Sequence, residues 1–151
     1  MDDFKSINDT YGHAVGDAFL IEIAKRISKG LREKDAVARF GGDEFVVVLD
    51  GVRTHQNARA VAEHVATLIG KPVHFGDITI DPKASIGTAL CPEDADGFDE
   101  LMFAADLAMY HAKSGGRGRF SAFDPQMRAD YESRLKAGSA PVGDVPLKRT
   151  A

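Results

Sequence analysis

Thiols are nearly absent from this chain. Cys91 is the single cysteine among 151 residues, which excludes an intrachain disulfide and a thiolate metal cluster. No apolar run approaches the ~20 residues that a membrane-spanning helix needs, and no secretory leader opens the sequence. The expected location is the cytoplasm, or the cytoplasmic part of a membrane-anchored parent. Positive charge is not in excess either. A formal net charge of −4 argues against a general nucleic-acid-binding surface and leaves room for a local basic pocket around one phosphate group. Internal repeats and low-complexity tracts are missing. What is present is ordinary for a globular protein: 44% hydrophobic and 28% charged residues, in a length that suits one domain with a real core.

Hydrophobic spacing predicts the elements. Leu20, Ile23, Ala24, Ile27 and Leu31 form one face of an amphipathic helix,. Asp17, after Gly16, suits its start. Ala36 to Arg39 and Phe45 to Leu49 read as strands joined by a Gly-Gly-Asp-Glu turn, a β-hairpin,. Ala58, Val61, Ala62, Val65, Leu68 and Ile69 make a second helical stripe, closed by Gly70. Val73 to Phe75 and Ile78 to Ile80 flank Gly76-Asp77, a second hairpin. Ser85 to Leu90 is a further strand. Leu101, Ala104, Ala105, Ala108 and Ala112 mark a third helix, ended by Gly115 and Gly116,. Arg119 to Phe123 reads as a last strand, and Asp124-Pro125 as the start of a last helix through Leu135. Interleaved helices and strands give an α/β or α+β class, with helices packed on a sheet.

Four clusters of residues are able to carry chemistry. In the hairpin turn, Gly41 and Gly42 would let backbone approach a bulky anion, while Asp43 and Glu44 offer hard oxygen ligands to Mg²⁺. The same four residues also suit a solvated turn with two exposed acids. Near the start, Asn8 and Asp17 could read a guanine edge, which offers adjacent N–H donors to a carboxylate. Equally, Asp17 suits a helix N-cap and Asn8-Asp9 a turn. Lys113, at the end of the third helix, and Arg117, after the glycines, could reach a triphosphate; a helix C-terminus also favours basic residues through its dipole. Finally Arg32, Glu33, Lys34 and Asp35 read as an exposed charge cluster at a helix end.

The order and register of these motifs are more specific than any one of them. "FKSINDTYGHAVGD", then "RFGGDEF", then "SIGTAL", then "ADLAMYHAK" followed by "GGRGRF" closely resemble the GGDEF family of diguanylate cyclases, from Met1 to about Phe123. The resemblance implies a mixed central β-sheet wrapped by helices, related to the palm of nucleotide cyclases and polymerases. It implies condensation of two GTP into cyclic di-GMP with release of two pyrophosphates, in a homodimer whose subunits each hold one GTP. Carried over by position, Gly41 and Gly42 line the phosphate. Asp43 binds Mg²⁺ or Mn²⁺ and is the candidate base for the 3′-hydroxyl, and Glu44 supports the same acidic centre. Asn8 and Asp17 match the guanine-reading pair. Lys5, Lys113 and Arg117 match the phosphate-contacting cations. Arg32 and Asp35 match the RxxD inhibitory site, where cyclic di-GMP restrains the enzyme.

Departures from the family's pattern set further expectations. An aspartate that the family places two positions before the residue matching Asp2, a principal metal ligand, is not in this sequence, and most of the first strand is missing with it. His64 stands near the position of the second inhibitory-site arginine. Pro82 precedes "ASIG", so that strand is expected to be an edge or bulged there. "FSAFDPQMRADYESRLK" resembles the connector between a GGDEF domain and a following EAL phosphodiesterase domain. The expected organisation is therefore a GGDEF domain over 1–123, a connector helix over 124–137 and a disordered tail over 138–151, all belonging to a longer tandem protein. The alternative to a working cyclase is an inactive GTP- or cyclic di-GMP-binding module that regulates an EAL domain.

Overall fold

The computed structural model describes residues 1–138; the tail expected from 138 onward thus lies, from 139, outside the described residues. The chain runs α1 (Phe4–Tyr11), α2 (His13–Lys29), β1 (Ala36–Gly41), β2 (Glu44–Val48), α3 (His55–Ile69), β3 (Val73–Phe75), β4 (Ile78–Ile80), β5 (Ile86–Thr88), α4 (Phe98–Ser114), β6 (Phe120–Ala122) and α5 (Pro125–Lys136). The class is mixed α/β, as expected. Strand pairing is antiparallel in β1–β2 and β3–β4 and parallel in β5–β6. Two compact units emerge: Met1–Gly51 with Glu63–Ala84, and Val52–Ala62 with the chain from Ser85 onward.

In the first unit, α2 supplies the core. Phe19, Leu20, Ile23 and Ile27 are buried, the face that the spacing predicts. Each such side chain contributes roughly 1.5–3 kcal/mol by leaving water. Two boundaries differ from expectation. Residues 4–11 form a helix rather than a turn around Asn8-Asp9, because Phe4, Ile7 and Asn8 share a half-buried face and Phe4 stacks on Phe19 at 6.1 Å. Helix α2 then begins at His13, so Asp17 lies inside it and is not its cap. The break between the helices falls at Gly12, whose φ of 84° is one that glycine alone adopts without strain. Arg26 fastens α2 to the end of α3, donating to the carbonyls of Ile69, Lys71 and Pro72 and to the carboxylate of Glu22.

In the second unit, β5, α4 and β6 form a parallel βαβ crossover, the usual way to join parallel neighbours. Helix α4 lies directly on β5. A Cβ placed at Gly87 would stand 2.2 Å from the Ala105 carbonyl oxygen and 2.2 Å from the Met109 nitrogen. Only small residues on both surfaces allow this approach, and Ala104, Ala108 and Ala112 on α4 are fully buried. The strand expected over Ser85 to Leu90 is shortened to Ile86–Thr88, and Pro82 lies ahead of it, outside the ladder, where its missing N–H costs nothing. Asp124 caps α5 by accepting from the Gln126 N–H at 2.8 Å, with Pro125 at the first helical position. Tyr131 of α5 is buried against Ala104, Leu107, Ala108 and Phe123.

Candidate active site

The hairpin β1–β2 carries the signature residues at its tip. Gly41 pairs with Glu44, which leaves Gly42 and Asp43 as a two-residue turn. Gly42 has φ of +51° while Asp43 keeps a negative φ, the pattern of a type II′ turn, whose twist suits a hairpin. Register shifts between Arg39 and Gly41, so Phe40 is an extra residue, a bulge that re-aims the turn. A Cβ at Gly41 or Gly42 would meet nothing within 4 Å. The backbone of this tip is therefore unobstructed.

Asp43 is in contact with a cation. The Met1 ammonium lies 2.9 Å from its carboxylate and donates to its backbone oxygen at 2.8 Å. Met1 thereby brings the buried Asp2 to the same end of the unit, with the Asp2 N–H bonded to the Lys83 carbonyl. Among the described residues no group of three or more His, Cys, Asp or Glu is placed to hold a metal. Mg²⁺, however, is typically held by one or two carboxylates and completes its shell with water and substrate phosphates. Asp43 and Glu44 are adjacent carboxylates of the kind that fits a metal arriving with a nucleotide.

Of the two guanine-reading candidates, Asn8 lies on α1 and Asp17 on α2. The Asn8 side chain rests against Gly16: a Cβ there would stand 1.9 Å from Asn8 Oδ1. Asp17 is the next residue. Neither the turn expected for Asn8 nor the cap expected for Asp17 exists in the fold. Lys5 is exposed on α1. Lys113, in the last turn of α4, and Arg117, in the left-handed region at φ 59°, belong to the second unit; glycines at 115, 116 and 118 surround Arg117.

Arg32 and Asp35 are more than an exposed charge run. Asp35 Oδ2 accepts from Arg32 N and Nε, and Oδ1 accepts from Arg32 Nη2 and from the Asp50 N–H, all within 3.1 Å. Arg32 also reaches the Asp50 carbonyl at 3.1 Å. The Asp35 side chain is 2% exposed beneath an arginine that is 52% exposed. Hydrogen bonds from Arg32 hold the Asp35 carboxyl down at about 2. The pair ties the start of β1 to the segment that leaves β2. His64 is exposed on α3.

Sequence reasoning missed three residues of this region. Gly16 makes room for the Asn8 contact; the sequence had suggested only that it precedes a helix start. Asp2 is buried although charged. Arg39 donates through Nε to the Gly42 carbonyl at 2.8 Å; an arginine three residues before a turn glycine was its signal. An open groove of about 500 Å³ along α2 and β3, lined by Ile21, Lys25 and Phe75 among others, includes none of the site residues. No helix among the described residues is long and apolar enough to cross a membrane.

Comparison with known proteins agrees with this geometry. Residues 1–119 match the family described as "Diguanylate cyclase, GGDEF domain". The bifunctional diguanylate cyclase/cyclic di-GMP phosphodiesterase MucR of Pseudomonas aeruginosa is 42% identical over 136 residues, 90% of this chain and 20% of MucR. Diguanylate cyclase TpbB of the same species is 45% identical over 118 residues, 78% of this chain and 27% of TpbB. The chain thus spans less than a third of the length of these two relatives. The crystal structure of the GGDEF domain of YfiN, or TpbB, from Pseudomonas aeruginosa superposes with a TM-score of 0.78 at 43% identity, covering 82% of this chain and 77% of that one. With a family match over most of its length, relatives above 40% identity and a shared fold, the chain belongs to the GGDEF-domain diguanylate cyclase family.

Proposed function

We propose that this chain is a diguanylate cyclase domain, which condenses two GTP into cyclic di-GMP and releases two pyrophosphates. The observation that carries this reading is the open type II′ tip, with bare backbone at Gly41-Gly42 and two carboxylates immediately after it. A triphosphate lies over the glycines, where no side chain obstructs it. Asn8 and Asp17 pair with the guanine edge. Lys5, Lys113 and Arg117 neutralise phosphate oxygens. The 3′-hydroxyl of one nucleotide attacks the α-phosphorus of the other: an O3′–P bond forms, the bond to the pyrophosphate oxygen breaks, and Asp43 takes the hydroxyl proton. The same step in the opposite direction closes the ring. Because one chain holds one GTP, two copies must meet. Asp43 and Glu44 would hold Mg²⁺ or Mn²⁺, which supplies charge stabilisation at the phosphates when bound. Asp43 and Glu44 themselves orient the nucleotide end of the turn.

Arg32 and Asp35 are the proposed product site. Their mutual bonds leave the outer face of Arg32 exposed for cyclic di-GMP, and His64 stands where a second arginine would strengthen binding. Helix α5 is the proposed connector to an EAL domain in a longer protein. Any 136-residue stretch of this chain includes positions 16 to 136, so the similarity to bifunctional MucR takes in all of α5. A second reading, in which the domain binds GTP and regulates an attached EAL domain without turnover, is favoured by a relative described only as a cyclic di-GMP phosphodiesterase, PdeR of Escherichia coli, 40% identical over 128 residues.

The deciding experiment is incubation with GTP and Mg²⁺ or Mn²⁺, with cyclic di-GMP quantified by mass spectrometry. The expected result is product from GTP, little from ATP, and loss of orders of magnitude in rate in Asp43→Ala and Glu44→Ala. ATP places an acceptor where Asp17 needs donors, and such unpaired groups reject an analogue strongly. GTP binding without product would favour the regulatory reading; equal use of ATP and GTP would remove Asn8 and Asp17 from base recognition.

A further inference from the structure

We propose that Arg39 is a positioning residue, which locks the peptide between Gly42 and Asp43 in one of its two orientations and so aims Asp43. The inference rests on the diguanylate cyclase reading for its kinetic consequence, and on the turn geometry alone for its structural one. Types I′ and II′ are the two common two-residue hairpin turns. They differ by a flip of the central peptide, here Gly42–Asp43, and by the sign of φ at the second central residue. Glycine at the first position permits both. Aspartate at the second tolerates positive φ better than most residues. The turn residues by themselves therefore leave the flip open.

Arg39 decides it. Its Nε donates to the Gly42 carbonyl at 2.8 Å. Across a trans peptide the carbonyl and the following N–H point in opposite directions. Holding the Gly42 carbonyl toward Arg39 therefore turns the Asp43 N–H to the other side of the turn. Asp43 accordingly keeps negative φ, whereas the flipped form would drive it positive. The bulge at Phe40 matters as well. Arg39 sits opposite Phe45, and the extra residue between Arg39 and Gly41 lets the guanidinium lie along the turn rather than away from it. A charged donor makes a stronger bond than a neutral one. It is well suited to biasing a flip between two turns of similar energy.

The test uses the full chain in three forms: wild type, Arg39→Ala and Arg39→Lys. The structural readout is the three-bond HN–Hα coupling and line width of Asp43 by NMR. The kinetic readout is kcat and KM for GTP with Mg²⁺. In Arg39→Ala, the Asp43 coupling should move toward an average of two turns, and its resonance should broaden. Reporter resonances at Ile69 and Val73 should stay in place, showing that the fold is kept. kcat should fall about 10- to 100-fold, as misplacement of a reacting group does, with KM changed less. Arg39→Lys, which keeps a donor but not the fork, should recover part of both. An unchanged Asp43 coupling in Arg39→Ala would overturn the lock. A shifted coupling with unchanged kcat would overturn the positioning role. A raised KM that lysine fully restores, with the coupling unchanged, would make Arg39 a simple phosphate-attracting charge instead. If the wild type itself makes no product, the coupling still decides the lock, and the diguanylate cyclase reading fails separately.

Discussion

At the scale of single residues, two glycines do opposite work. Gly16 is a space for a neighbour, since its missing Cβ is where Asn8 Oδ1 rests. Gly16→Ala should gain up to about 1 kcal/mol of helix propensity and still weaken nucleotide binding about tenfold, as displacing one polar partner does. Calorimetric titration with a GTP analogue, beside a thermal melt, checks this; unchanged affinity with an unchanged melt would remove Asn8 from the base pocket. Gly41 instead faces open space, because nothing stands near it. Asp35 carries a pH prediction. Its carboxyl titrates at about 2 in the folded chain, below the ~3.9 of an unfolded aspartate. A depressed pKa contributes stability that is fully present above about pH 4 and lost as pH falls toward 2. Asp35→Asn should therefore flatten the acid limb of a stability profile across that window. An acid limb of the same slope in both proteins would show that other carboxylates set it.

At the scale of elements, close approach and docking decide. The β5–α4 contact is backbone against backbone at Gly87, so a methyl group there cannot be relieved by a rotamer change. Gly87→Ala should cost about 1–3 kcal/mol or more, read from the midpoint of urea unfolding, while Gly41→Ala at the open tip should leave that midpoint in place and reduce turnover. Equal midpoints for both variants would contradict the packing of α4. Helix α5 depends on its anchors. Its sequence is polar, and at 12 residues it would be marginal alone. Tyr131 is T-shaped to Phe103 at 5.7 Å, and the Arg128 guanidinium lies over Phe103 and Phe123. Tyr131→Ala should cost about 3 kcal/mol and release α5, seen as fast hydrogen exchange over residues 125–136 with α4 still protected. Full protection of α5 in that variant would show that other contacts hold it.

For the whole molecule, the number of nucleotides per product sets the assembly. If each chain holds one GTP and the product needs two, specific activity should rise with protein concentration until a dimer saturates. Steady-state rates across a thousandfold dilution, with mass measured by light scattering, test this. A specific activity that stays constant to the lowest concentration, in a monomer, would require both nucleotides on one chain. Exposed apolar side chains such as Val48, Phe40 and Ile21 are surfaces that such an assembly or a longer chain could cover.

Periodicity and turn chemistry were enough to reveal most elements: the α2 and α3 stripes, the β3–β4 hairpin to the residue, and α5 with its Asp124 cap and Pro125. These signals are local, so the residues that make them lie within a few turns of one another. The GGDEF tip was legible for the same reason. Helix α1 was not, because its stripe of Phe4 and Ile7 is short, and its burial depends on Phe19 in another helix. The start of α2 was misplaced because Gly16 and Asp17 read as a helix start, whereas the helix already begins at His13. Only tertiary structure showed that Asn8 packs against the residue before Asp17, that Asp35 lies buried under Arg32 and bonded to Asp50, and that Gly87 touches the backbone of α4. Apart from the Arg32–Asp35 pair, three residues apart, these contacts join separate elements and leave no periodic trace in the chain. The sequence by itself determined which chemistry could be present; the packing of distant segments decided which of those residues meet.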